Sequence, residues 1–283
     1  MTQPRRPRQA REATVLRTEQ LTPHLIRVVL GGEGLASFPA GEFTDHYVKI
    51  LFPRDGVAYP EPFDLEAIRN DLPREDWPRV RTYTVRSWDA ETGELAIDFV
   101  YHGDEGVAGP WAAAAEPGDV LRFQGPGGAY APGEDADWHL LVGDEAALPA
   151  IAASLERMPA GRPAHVFLEV AGPDEELKLT VDPDTRVTWV HRGDRMVGDA
   201  LVEAVRALDW PEGAVQAFVH GEANFVKALR TLLRVEKDVP RERLSISGYW
   251  RRGRDEDGWQ TTKGEWNAKV EEEEAEAIAS RAS

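Results

Sequence analysis

Apolar and polar positions alternate along the first half of the chain. Six short stretches, residues 12–21, 25–30, 46–52, 81–88, 94–101 and 119–124, follow a period of two and are separated by Gly, Pro and Asp. That period puts successive side chains on opposite faces of a strand. Six such strands without helical periodicity predict an antiparallel barrel. The Pro-rich, acidic stretch 53–78 interrupts them and reads as a long loop with one helical turn. From Trp138 the pattern changes. Apolar runs at 138–144, 164–170, 186–190, 215–220 and 244–247 are interleaved with helical patterns at 145–158, 197–208 and 223–236. Such alternation predicts a parallel sheet with helices on both faces. The expected fold class is therefore β followed by α/β, a six-stranded antiparallel barrel and then a parallel-sheet domain. The Gly-, Pro- and Asp-rich stretch 125–137 marks the junction, which gives domains over 1–130 and 131–254 and an acidic extension over 255–283. Within that extension 269–279 has helix-forming composition but little apolar face, so it either frays or packs through few contacts.

Composition narrows the function classes. The 283 residues are 42% hydrophobic and 29% charged, enough for two real cores. With 33 Lys and Arg against 50 Asp and Glu the net charge is −17, which argues against a nucleic-acid partner, because phosphate neutralisation needs a basic face. Cysteine is absent, which removes disulfides, thiolate nucleophiles and cysteine-held iron–sulfur clusters. The seven histidines are scattered, so spacing suggests no metal site. No window approaches the ~18 apolar residues of a membrane helix, and the basic start MTQPRRPRQAR lacks an apolar sequel. These features suggest a cytoplasmic or peripheral protein, and a monomer is expected. The charge is uneven: the stretch 225–254 carries nine basic side chains against three acidic ones, inside an otherwise acidic chain. It is either a site for a small anion or the solvated faces of a helix and a loop.

Two strings carry chemistry. In Arg81-Thr-Tyr-Thr-Val-Arg86 a strand would point Arg81, Tyr83 and Val85 one way and Thr82, Thr84 and Arg86 the other. A guanidinium fork suits a phosphate and a tyrosine ring suits a flat heterocycle, although an ordinary barrel strand with a cross-strand ion pair would read the same. In the string from Asp98 to Trp111, Gly106, Ala108 and Gly109 are small enough for the backbone to approach a pyrophosphate. A helix begun near Pro110 would aim its N–H groups at it.

Taken in order, RTYTVR, DFVYHGDEGVAGPWA, PGD with GP, LLVGDEAALPAI and GYWRRG closely resemble the siderophore-interacting proteins, FAD-dependent ferric-siderophore reductases, from about Thr14 to Gly253. The resemblance implies FAD held by the barrel and NADPH or NADH docking on the α/β half. Electrons would pass to a ferric siderophore, catecholate or hydroxamate, which releases Fe(II). It makes Arg81, Tyr83, Thr84, Val85 and Arg86 flavin-strand residues, with Arg81 on a phosphate and Tyr83 and Thr84 at the ring. Asp98, Val100, His102, Gly106, Val107, Ala108, Gly109 and Trp111 fall in the string that wraps the pyrophosphate and adenosine. Gly143, Asp144 and Glu145 form the turn that the nicotinamide nucleotide approaches. Lys49, Arg251 and Arg252, with the aromatic Tyr249 and Trp250, are the candidates for the anionic ferric complex. The flavin carries the redox chemistry, so no catalytic acid or base and no protein-held metal is implied.

Each assignment has a plainer alternative. His102 would be a core histidine, Asp144 and Glu145 helix N-terminal acids, Lys49 a solvent-facing strand lysine, and Tyr249 and Trp250 a plug at the domain junction. Three positions depart from the family pattern: Gly109 where a hydroxyl residue is common, Ala146 where Thr is usual, and Gly127 where many members carry Arg. For the donor, the acidic stretch 172–176 argues against a 2′-phosphate, while Arg192 or Arg195 would accept one. Two rivals share the strings: a flavin reductase with a protein or free-flavin acceptor, and a redox-silent siderophore carrier.

Overall fold

The computed structural model describes residues 10–281 with the exception of residue 40, so Arg5, Arg6 and Arg8 lie outside the described residues. The described residues form two compact units, one within 10–41 with 46–128, the other of 42–45 with 129–281.

The first unit is a seven-stranded antiparallel sheet of β1 (Arg11–Thr22), β2 (Leu25–Gly31), β3 (Tyr47–Phe52), β4 (Arg79–Thr84), β5 (Ser87–Asp89), β6 (Glu94–Val100) and β7 (Val120–Gly127), in the order β4-β3-β7-β1-β2-β6-β5. The expected strand 81–88 is two segments. β4 pairs with β3, and β5 pairs with β6. At the bend the Val85 N–H donates to His46 O at 2.7 Å and the Arg86 N–H to Ala96 O at 2.9 Å. These acceptors belong to opposite edges of the sheet, so one bent strand joins both edges and curls the sheet on itself. Six expected strands become seven hydrogen-bonded ones for that reason. Val28, Leu30, Ile50, Leu95, Ile97 and Phe123 fill the interior. The stretch 53–78 holds more helix than expected. Asp64 caps α1 (Leu65–Asp71) by accepting from the Glu66 and Ala67 N–H groups, and Leu65 and Ile68 pack on Leu51.

The second unit is a five-stranded parallel sheet of β8 (Trp138–Gly143), β9 (Ala164–Val170), β10 (Thr185–His191), β11 (Val215–Glu222) and β12 (Leu244–Trp250), in the order β10-β9-β8-β11-β12. Leu140 and Val142 share one core with Leu201 and Val205 of α4 (Asp199–Arg206) and Phe225 and Leu229 of α5 (Ala223–Thr231). On the opposite face Gly143 lies against α3 (Leu148–Leu155), where a Cβ would come within 2.5 Å of Ala147 Cβ. The chain runs outward from β8 to β10 and then returns to β11, so winding reverses between β8 and β11. The carboxyl ends of those two strands form the switch point at which such sheets bind ligands.

Two features differ from expectation. Residues 42–45 belong to the second unit: Thr44 Oγ1 lies 2.8 Å from Ser154 Oγ, and Asp45 accepts from the Ala129 and Tyr130 N–H groups. The extension is one 26-residue helix, α6 (Glu256–Arg281), which starts well before 269. It buries Trp259 and Val270, and it docks chiefly through charge. Glu274 pairs with Arg230 and Arg234, Glu271 with Arg241 and Glu273 with Lys227. Four of the nine basic side chains of that stretch, Lys227, Arg230, Arg234 and Arg241, are therefore paired with the chain's own acidic helix. An apolar-periodicity argument has no means of detecting a helix held in this way.

Candidate functional site

Aromatic contacts in the first unit bring the two chemical strings together. The rings of Tyr83 on β4 and Phe99 on β6 lie 4.5 Å apart, and Phe99 lies 5.6 Å from Trp111 on α2 (Ala108–Ala114). Trp111 also meets Phe52 edge-on. β4 and the glycine-rich turn before α2 are thus fixed through one aromatic row, although they are separated in sequence by β5 and β6. Cross-strand register puts Arg81 opposite Ile50 and Tyr83 opposite Val48, on the interior side, while Thr82 and Thr84 share the other side with Lys49 and Tyr47. Thr84 and Val85 are buried, and Arg81, Tyr83 and Arg86 are half-buried.

The turn that follows β6 is open. Gly103 and Gly106 adopt positive φ, and a Cβ at either would meet nothing within 4 Å. Helix α2 begins at Ala108, two residues before Pro110, with Val107 as its N-cap residue. Gly109 is buried, and a Cβ there would stand 2.9 Å from Val100 O and 3.3 Å from Tyr101 Cα. A hydroxyl residue at this position would push the helix off the end of β6, which accounts for the glycine. At Gly127 a Cβ would stand 2.5 Å from Tyr47 Cζ. The Tyr47 ring occupies the space that an arginine would need.

One expected cofactor residue, Asp98, has a partner within the sheet. Asp98 lies on the face of β6 opposite to Phe99, where Arg27 holds both carboxylate oxygens at 2.7 and 2.9 Å. It is a strand-pair carboxylate, and Arg27 is the partner that sequence reasoning overlooked. His102 is exposed, with its ring 5.8 Å from that of His24, so it is not a core histidine. Two guanidiniums suited to a pyrophosphate, a tyrosine and a threonine suited to a flat ring, and an open glycine turn beside them remain. That donor set fits FAD.

In the second unit the carboxyl ends of the strands carry a cluster of acids. Asp144 follows β8 and is 1% exposed. Its Oδ1 accepts from the Ala146 N–H at 3.0 Å, and its Oδ2 accepts from the Glu222 N–H at 2.9 Å and from Trp250 Nε1 at 2.8 Å. Burial, with repulsion from Glu145, pushes its pKa up to about 7 despite those three donors. The expected helix start at Glu145 moves to Leu148, because 144–146 form the tight turn. Glu145 instead forms a bidentate pair with Arg192, which also reaches Glu169 at 3.4 Å. Arg195 forms a bidentate pair with Glu203. Both arginines suited to a 2′-phosphate are thus engaged by carboxylates.

β12 extends to Trp250, so the GYW residues stand on a strand end. Glu222 caps α5 and accepts from the Arg252 N–H at 3.1 Å. Arg251 is half-buried, Arg252 is exposed, and Tyr249 lies 4.8 Å from the His220 ring. Lys49 is exposed on β3. Among the described residues no group of three or more His, Asp or Glu is arranged to hold a metal ion, and no helix is long and apolar enough to cross a membrane.

A closed antiparallel sheet followed by a doubly wound parallel one defines the ferredoxin-reductase-like fold class. Residues 14–130 match the siderophore-interacting FAD-binding domain, and residues 136–253 match the siderophore-interacting protein domain. The chain is 36% identical to ferric vibriobactin reductase ViuB of Vibrio cholerae, over 86% of this chain and 90% of that protein. It is 33% identical to the NADPH-dependent ferric-chelate reductase of Escherichia coli, over 85% and 92%. The crystal structure of the siderophore-interacting protein SipS from Aeromonas hydrophila is similar at a TM-score of 0.79 and 31% identity, over 93% of this chain and all of that one. The chain belongs to the siderophore-interacting protein family.

Proposed function

We propose that this chain is a ferric-siderophore reductase, which takes electrons from a reduced nicotinamide nucleotide through FAD and delivers them to Fe(III) held by a siderophore. The observation that carries the reading is the aromatic row Tyr83–Phe99–Trp111, which links the flavin strand to the helix that follows the open glycine turn. When bound, FAD converts a two-electron donor into a source of single electrons for iron. The chain's own part is positioning and electrostatics. Arg81 and Arg86 hold the negative pyrophosphate, Tyr83 and Thr84 orient the ring, and the Gly103–Gly106 turn lets the backbone approach closely. On the second unit the turn after β8 is the docking point for the donor nucleotide. With Arg192 and Arg195 tied to Glu145, Glu169 and Glu203, NADPH would gain little over NADH unless those pairs open. For the anionic ferric complex the first unit offers the positive charge of Lys49, and the second, taken by itself, offers Arg251 and Arg252 with the aromatic surface of Tyr249 and Trp250.

The test is Fe(II) trapping from catecholate and hydroxamate ferric siderophores with NADH or NADPH as donor, in wild type and in Lys49→Glu and Arg251→Glu. Each reversal is expected to raise KM for the ferric complex about tenfold, the loss of roughly one favourable charge contact worth ~1.4 kcal/mol. A purified protein that stays colourless when offered FAD would overturn the assignment. Unchanged KM in both variants would remove these two cations from the substrate site.

A further inference from the structure

The buried carboxylate of Asp144 has geometry that nucleotide docking does not explain. It makes three hydrogen bonds to three elements: the β8–α3 turn through Ala146, the end of β11 through Glu222 and the end of β12 through the Trp250 indole. Gly221 makes room for it, adopting φ +137 with a Cβ position that would lie 2.6 Å from Asp144 Oδ1. A helix N-terminal acid would need only the first of these bonds. The third joins two chain segments 106 residues apart. Next to it Glu222, also buried, ties the backbone of Arg252 while capping α5. Two acids therefore hold residues 249–252 from below, one by a side chain and one by the main chain. A partly exposed segment that follows β12 and carries two arginines would otherwise sample many conformations, and ordering it only on binding would cost affinity.

We propose that Asp144 is a positioning residue for the substrate: it clamps the Trp250 indole and thereby preorganises the 249–252 segment that presents Arg251 and Arg252 to the ferric complex. This rests on the reading of the chain as a ferric-siderophore reductase. Asp144 touches neither the iron complex nor the reacting atoms in this role and acts through Trp250.

The experiment uses the full chain with ¹⁵N-labelled tryptophan, in which Trp250→Phe identifies the Trp250 indole resonance among the nine tryptophans. Asp144→Asn keeps the size of the side chain but replaces one of its two accepting oxygens by an NH2 donor. It is expected to move the Trp250 resonance while those of Trp138 and Trp259, buried elsewhere in the unit, stay in place. In steady state, KM for the ferric siderophore is expected to rise about tenfold in Asp144→Asn and in Trp250→Phe, and no further in the double variant, because both remove the same link. An unmoved Trp250 resonance, or single effects that multiply in the double variant, overturns the proposal. Trp250→Phe leaves the other two Asp144 bonds intact, so an unchanged KM in that variant alone also overturns it. If wild type releases Fe(II) from no ferric siderophore, the functional reading fails, while the indole resonance still decides whether Asp144 holds Trp250.

Discussion

Asp98 and Arg27 illustrate how much depends on one partner at the residue scale. The Asp98 side chain is 1% exposed and that of Arg27 is 25% exposed, so removal of the cation leaves a buried carboxylate facing apolar surroundings. Arg27→Met is expected to lower unfolding free energy by about 2 to 3 kcal/mol in urea titrations, less than for a pair with both ends buried. FAD affinity of the folded fraction should be unchanged, whereas a parallel loss of FAD binding would return Asp98 to the cofactor site. The string around Asp98 was legible as a flavin-family segment, but the alternation of β6 decides which of its side chains face Phe99 and Tyr83. Gly109 is similar: its identity was read as a departure, and only the 2.9 Å approach to Val100 O explains it.

At the scale of elements, α6 is a helix specified by charge rather than by an apolar stripe. Its two buried apolar side chains, Trp259 and Val270, are few for 26 residues, and a helix within a protein owes most of its stability to tertiary packing. Glu271, Glu273 and Glu274 add ion pairs with the basic face of α5 and the segments that follow it. These pairs differ in depth. The Glu274 side chain is 11% exposed, between arginines at 14% and 19%, while Glu273 pairs with Lys227 in the open. Glu274→Gln is expected to destabilise the chain by about 1 to 3 kcal/mol, and Glu273→Gln by an amount too small to resolve. Urea midpoints of the two variants measured side by side check this, and equal shifts would mean that depth does not matter here. The same comparison explains the basic stretch at 225–254. Its sign was evident in the chain, but the partners that cancel part of it lie about 40 residues further on, brought back by a turn after Gly253. Arg251 and Arg252, next to Trp250, take no part in these pairs with α6.

For the whole molecule, the buried titratable groups of the second unit oppose one another. Burial pushes His139 down to about 4 and His220 down to about 3, helped by Arg162 and Lys263 respectively. Burial also pushes Asp144 up to about 7 and raises Glu169. The unfolded chain binds protons on its imidazoles below about 6.5 that the native state refuses, so the histidine contribution is complete above that pH and is lost on acidification. The native state keeps protons on its raised carboxyls that the unfolded chain releases above about 4, so that contribution is lost as pH rises toward 7. Relative to wild type, His220→Phe should therefore gain stability as pH falls from about 7 to 5, and Asp144→Asn should gain as pH rises across the same window. Urea midpoints at several pH values read both trends, and variant curves parallel to wild type would contradict them. From the sequence alone came the two-part fold, the succession of most strands and helices along the chain and the family strings, because periodicity and short motifs are local properties of the chain. The bend that closes the barrel, the docking of α6 and the tie between Asp144 and Trp250 were decided only by the tertiary structure. Each joins groups dozens of residues apart, and a hydrogen bond or ion pair depends on distance in space, which local pattern does not encode.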